Sequence, residues 1–141
     1  MKKVLFLCTG NSCRSQIAEG IAHNVFDSKY HIESAGTEKH GVNPNAIKSL
    51  KEIGINISDY KSKTINLNQL NKFYLVITLC GDAKDKCPVL DKGVKHIHWN
   101  LKDPSKFTGT DLEIMSQFRN TRDLILNKIK ELKSNSEKGN L

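Results

Sequence analysis

The segment Cys8-Thr9-Gly10-Asn11-Ser12-Cys13-Arg14-Ser15 concentrates more reactive chemistry than any other part of this chain. Five residues separate Cys8 from Arg14, enough for successive backbone N–H groups to curl around one point and form an anion nest. A helix that begins near Ser15 adds its positive end to the same point. Gly10 permits a positive φ, and small Thr9 and Ser12 leave room for a ligand. Arg14 supplies a planar fork suited to an oxyanion; the other two arginines, Arg119 and Arg122, come far later. This field should lower the pKa of Cys8 and hold it as the thiolate, the nucleophilic form. The Ser15 hydroxyl is expected either to donate to that thiolate or to cap the helix. The plainer alternative, a glycine turn beside a buried cysteine, leaves the agreement of strand, spacing, arginine and helix unexplained.

The elements around this segment set where the rest of the chemistry falls. Residues 3–8 (KVLFLC) are a continuous apolar run, expected of a strand buried on both faces. Ile17, Ile21, Ala22, Val25 and Phe26 then recur at helical spacing. Residues 30–35 give a second strand, closed by Gly36, and Pro44 to Ile53 a second helix, ended by Gly54. A short helix is expected around 66–71, strands at 73–79 and 95–99, and a last helix over 112–132 with Phe118, Leu124, Ile125 and Ile129 on its apolar face. Strands alternating with helices predict one α/β domain, residues 1–133, with a parallel sheet covered on both faces. Residues 134–141 (SNSEKGNL) read as a polar tail with nothing to pack.

In an open parallel sheet, ligands bind beyond the carboxyl ends of the strands. Cys8 ends the first strand, Cys80 ends the 73–79 strand, and Asp103 lies just past the 95–99 strand. Three reactive residue types far apart in sequence are therefore expected at one edge.

With 22 Lys+Arg against 15 Asp+Glu the chain carries a formal charge of +7. The lysines are spread along the chain, with no basic block, zinc-finger spacing or aromatic–basic strip, so nucleic acid is not an expected partner. No apolar run reaches the ~18 residues of a membrane span. The N-terminal run turns polar at Thr9-Gly10-Asn11, short of the ~7–15-residue apolar core of a secretion signal, and bulky Leu7 argues against a lipoprotein-type Cys8. A cytoplasmic protein with reduced thiols is expected.

The C-x5-R-S pattern of residues 8–15 resembles the phosphate loop of low-molecular-weight protein tyrosine phosphatases. The longer match, CTGNSCRSQ-x-AEG with SAG at 34–36, HGVNP at 40–44, TLCGDA at 78–83, Asp103-Pro104 and FRNTRD at 118–123, resembles the thioredoxin-coupled arsenate reductases that share that fold. The resemblance implies a four-stranded parallel sheet, arsenate held by Thr9, Gly10, Asn11, Ser12, Cys13, Arg14 and Ser15, and Asp103 as general acid. It also implies thioredoxin as electron donor. Asn11, Glu19 and Ser34 match positions that brace the loop and, in some members, hold potassium; the carboxylate that helps hold the ion falls at Lys63 here. A Lys63 ammonium pairing with Glu19 would replace the cation internally, so no potassium requirement is expected.

A phosphatase needs one cysteine and water; this chain adds Cys80 and Cys87. Their six intervening residues lie outside common zinc spacings, with no second ligand pair nearby, so no metal is expected. A redox relay fits better: Cys80 attacks the arsenate adduct of Cys8, arsenite leaves, and Cys87 resolves the Cys8–Cys80 disulfide to Cys80–Cys87. A helical 80–87 segment would hold its ends ~10 Å apart, beyond the ~7 Å a disulfide tolerates, which predicts that the segment rearranges. Cys13 is expected to be structural. The five histidines show no ligand spacing beyond His96 and His98, and are expected at the surface or in packing. No tightly bound cofactor is expected, and the protein is expected to be a monomer.

Overall fold

The apolar run at the N-terminus becomes β1 (Lys2–Cys8), buried from Val4 onward. The structure is a computed structural model and describes residues 1–81 and 90–139. β1 lies between β2 (Tyr30–Gly36) and β3 (Leu75–Thr78), and β4 (His96–His98) completes a four-stranded sheet of order β2-β1-β3-β4. All three pairings are parallel, with Cys8 opposite Gly36 and Leu7 opposite Thr78. A strand paired on both edges and covered on both faces has no polar side to show, which is why β1 does not alternate.

Val4, Phe6 and Cys8 belong to the larger core, with Ile17 and Ile21 of α1 (Arg14–Val25) and Phe118, Ile125 and Ile129 of α3 (Asp111–Glu137). Leu5, Leu7, Ala35 and Val76 form a smaller cluster with Leu70, which sits in a 3-10 turn, Leu67–Lys72. Full burial of each large aliphatic side chain contributes about 1.5–3 kcal/mol. α2 (Pro44–Lys51) starts on an Asn43 cap with proline in its first turn. α3 opens on a capping box in which Thr110 and Glu113 satisfy each other's backbone N–H groups. Trp99 is buried and packs on Phe6 with ring centroids 5.9 Å apart.

Two expectations need correction. α3 continues through Glu137, so residues 134–137 are helical rather than a tail. Nothing in that stretch breaks a helix until Gly139, at φ 74°, and the Tyr30 hydroxyl hydrogen-bonds Ser136. Leu124 is not on the core face: it is 53% exposed, while its neighbour Ile125 is fully buried. In the loop the left-handed residue is Asn11, at φ 49°, not Gly10, for the reason given next.

Candidate active site

The Cys8–Ser15 loop leaves β1 and enters α1 directly, and residues 37–43 anchor its outer side. The carbonyls of Cys8, Thr9, Gly10 and Ser12 accept from the backbone N–H groups of Thr37, Glu38, His40 and Asn43 at 2.9–3.2 Å. The Asn11 carbonyl accepts from Ser62 Oγ at 2.6 Å and Gln16 Nε2 at 3.1 Å. A trans peptide sets its N–H opposite its C=O. Five carbonyls turned outward therefore turn the N–H groups of residues 9–13 inward, toward a cavity of about 290 Å³ lined by Cys8, Thr9, Gly10, Ser12, Cys13 and Arg14. This is the nest that the spacing predicts.

Asn11 is fully buried and all four hydrogen-bonding positions of its amide are occupied. Oδ1 accepts from Gln16 Nε2 and the Lys63 backbone N–H, both at 2.9 Å. Nδ2 donates to Ser15 Oγ at 2.8 Å and Ser34 Oγ at 2.9 Å. Ser15 Oγ receives one of those protons and lies 2.8 Å from Cys8 Sγ, a pair in which either atom can be the donor. Ser15 thus faces Cys8 instead of capping the helix: the N-cap is Cys13, with no side-chain cap bond. Asparagine tolerates the left-handed backbone at this position better than most residues. Gly10 is needed for a different reason: a Cβ there would lie 2.4 Å from His40 Nδ1.

Arg14 is buried; its Nη1 donates to the Leu101 carbonyl at 2.8 Å, and Nη2 lies 3.6 Å from Asp103 Oδ2. Asp103 caps a short turn, Pro104–Lys106, accepting from Ser105 N and Ser105 Oγ at 2.9 and 2.7 Å. The acid and the guanidinium are thereby brought to one mouth from opposite ends of the chain. Cys13 is buried in the same wall; desolvation, with the nearby charge of Asp103, pushes its thiol up to about 12, so it stays protonated and unreactive. Cys80 is buried two residues beyond β3, and neither it nor Cys8 or Cys13 is in a disulfide. Cys87 lies outside the described residues. Among the described residues, no group of three or more His, Cys, Asp or Glu could hold a metal ion.

The bracing residues behave differently from expectation in one respect. Glu19 accepts from Ser34 Oγ at 2.6 Å and faces His23 at 3.2 Å. Lys63 Nζ instead pairs with Glu33 at 2.6 Å; its side chain extends from the end of β2 toward the solvent, and only its backbone reaches the loop. Sequence reasoning missed three cavity-lining residues: His40, Ser105 and Lys106. His40 sits in the HGVNP motif, so the signal was present, but nothing local says that its ring closes over Gly10.

Residues 3–139 match the low molecular weight phosphotyrosine protein phosphatase family. The chain belongs to this family. Within the low molecular weight phosphatase family its relatives are of a particular kind. It is 50% identical over 130 residues to the arsenate reductase of Bacillus subtilis (strain 168), covering 92% of this chain and 94% of that protein. A solved structure described as an arsenate reductase in the phosphate binding state superposes with a TM-score of 0.73 at 34% identity, over 94% of this chain and 96% of that one. A thioredoxin-dependent arsenate reductase of Corynebacterium glutamicum superposes at 0.63 with 28% identity, over 92% of this chain and 62% of that one.

Proposed function

We propose that this protein reduces arsenate to arsenite, with electrons supplied by thioredoxin, in arsenic detoxification. The observation that carries the reading is the placement of a second buried thiol, Cys80, just past the strand beside the one that ends in Cys8. Hydrolysis has no use for it. The likeness to arsenate reductases supports the same reading.

Arsenate enters the nest, its charge met by the inward N–H groups, the α1 terminus and Arg14. The Cys8 thiolate attacks arsenic, an As–O bond breaks, and Asp103 protonates the departing oxygen so that it leaves as water. The Cys80 thiolate then attacks Cys8 Sγ. The S–As bond breaks with its electron pair passing to arsenic, so As(V) becomes As(III) and two thiols become the Cys8–Cys80 disulfide. The Cys87 thiolate attacks Cys80 Sγ, frees Cys8 as thiolate and leaves Cys80–Cys87 for the dithiol of thioredoxin to reduce. Asn11, Glu19, Ser34 and the Lys63 backbone brace the loop throughout. Asn11 Oδ1 already accepts two N–H groups, which supports turnover without potassium. We read residues 1–133 as the catalytic unit and the protein as a cytoplasmic monomer; among the described residues no helix is long and apolar enough to cross a membrane.

The same loop supports weak hydrolysis of small aryl phosphates, in keeping with the family. The deciding experiment couples the protein to thioredoxin, thioredoxin reductase and NADPH. Arsenate-dependent NADPH loss is expected, with Cys80→Ser and Cys87→Ser abolishing multiple turnover. No NADPH loss, alongside phosphate-ester hydrolysis that survives Cys80→Ser, would make the protein a phosphatase instead.

A further inference from the structure

Arg14 is held in place by a backbone carbonyl, and the position of that carbonyl depends on a residue outside the loop. A Cβ built on Gly81 would lie 2.4 Å from both the carbonyl carbon and the oxygen of Leu101, and 2.8 Å from its nitrogen. The contact is backbone on backbone, so no flexible side chain can yield to it. Leu101 O is the atom that accepts from Arg14 Nη1 at 2.8 Å, and Asp103, two residues further on, is the carboxylate 3.6 Å from Arg14 Nη2. The Leu101 side chain is buried in the core and so anchors the peptide from its other side.

We propose that Gly81 is a positioning residue for oxyanion binding: by letting the chain after β3 lie flat on the Leu101 peptide, it sets the carbonyl that orients Arg14 and the start of the acid loop. The inference rests on the reading of the Cys8–Arg14 loop as an oxyanion site. It gives the glycine after Cys80 a role in substrate binding. Any side chain at 81 pushes the Leu101 peptide off Arg14. The guanidinium loses the bond that fixes its plane, and the bidentate geometry an oxyanion needs is lost with it.

The test measures binding of inorganic phosphate to the reduced full-length protein by calorimetry, a readout that needs no Cys80 chemistry. Gly81→Ala is expected to weaken phosphate at least about tenfold, the order of one charge-assisted hydrogen bond, and to raise the KM for arsenate far more than it lowers kcat. The rate of Cys8 alkylation by iodoacetamide should stay near wild type, because Ser15 and Asn11 are untouched. In an Arg14→Lys background, titrated with phosphate by NMR, Gly81→Ala should cost little more, since the group it positions is gone. Should Gly81→Ala not fold, Leu101→Gly frees the same peptide from its core anchor and is expected to weaken phosphate likewise. Wild-type phosphate affinity in a folded Gly81→Ala or Leu101→Gly protein, or full additivity with Arg14→Lys, overturns the proposal. Failure of the wild-type protein itself to bind phosphate or arsenate would instead count against the oxyanion site.

Discussion

Replacing Ser15 by alanine removes the hydroxyl that lies against Cys8 Sγ and that, in the proposed mechanism, donates to the thiolate. The Sγ–Oγ distance is 2.8 Å and both residues are buried, so water cannot readily take the hydroxyl's place. A hydrogen bond to a charged group contributes about 1.5–3 kcal/mol, which corresponds to about a tenfold to hundredfold loss in Cys8 reactivity at fixed pH. The substitution also strands one N–H of Asn11 Nδ2, whose other N–H remains on Ser34. That costs about 1–3 kcal/mol of stability, or about 3–10 °C in Tm for a domain of this size. The assay is alkylation by iodoacetamide in a Cys80→Ser/Cys87→Ser background, read by mass spectrometry. Cys13 stays silent there because its thiol is pushed up to about 12. Ser34→Ala serves as the contrast: it strands the other N–H of the same amide but leaves Ser15 facing Cys8. Comparable Tm losses are expected from the two variants, with a large drop in alkylation only for Ser15→Ala. Equal drops in both would refute the direct-donor reasoning and leave Ser15 as a packing residue.

The remaining expectations concern charge. Cys13 ionises at 9.0 when free and only near about 12 in the fold; the unfolded chain therefore loses its proton first, and stability falls as pH rises through that interval. Cys13→Ala should flatten the loss between urea melts at pH 8 and pH 10, and should leave NADPH-coupled turnover within about twofold. Glu52 accepts from Arg119 and Arg122, which hold its carboxyl down to about 2 from an ordinary 4.5. Its stabilisation is present above pH 4.5 and lost as pH falls toward 2, so the Tm gap between wild type and Glu52→Gln should close over that range. Lys63→Ala removes an exposed pair with Glu33 but keeps the backbone N–H that braces Asn11; a cost under about 1 kcal/mol and near-normal turnover are expected in chemical melts and the coupled assay. Clear activation by potassium over sodium at fixed ionic strength, in wild type, would contradict the bracing described here.

The strands, the phosphate-loop helix and the nest were legible because local signals specify them. A polar-free run such as Val4–Cys8 fits only a doubly covered strand, and the spacing from Cys8 to Arg14 suits one turn into α1. Ser15 was narrowed to two roles, and the structure removes the capping one, since the N-cap is Cys13 and Ser15 Oγ lies against Cys8 Sγ. What was illegible depends on contacts between distant segments. The sequence reading pairs the Lys63 ammonium with Glu19, and the Gly36–Thr64 bridge at the end of β2 sets Lys63 beside Glu33 instead. His40 over Gly10 is a contact between the two sides of a parallel crossover. The Leu101 carbonyl on Arg14 links residues 87 apart in sequence through a backbone atom, which no side-chain pattern reports. Leu124 failed differently: a 27-residue helix has more apolar positions than its contact stripe can use.

The sheet order also explains why the second thiol sits where it does. Neighbouring strands run ~4.8 Å apart, and a disulfide accepts Cα separations up to ~6.8 Å. Two residues at the same ends of adjacent strands are therefore within reach of a bond after a local shift, whereas residues one strand further apart, at ~9.6 Å, are not. β1 has only two neighbours, β2 and β3. The end of β2 is committed to the loop itself: Gly36 pairs with Cys8, a Cβ on it would lie 2.5 Å from Thr9 O, and Thr37 donates to the Cys8 carbonyl. Only the end of β3 is left for a partner cysteine, and Cys80 lies there. In the proposed mechanism Asp103 acts by proton transfer to the bound oxyanion and needs no bond to Cys8, so it can come from the loop beyond β4. A cysteine moved from position 80 to position 98, the end of β4, should therefore fail to form a disulfide with Cys8 under mild oxidation, while the Cys87→Ser protein forms one between Cys8 and Cys80. Non-reducing peptide mapping distinguishes the outcomes, and a disulfide between Cys8 and a cysteine at position 98 in a Cys80→Ser/Cys87→Ser/His98→Cys protein would refute the strand-spacing argument.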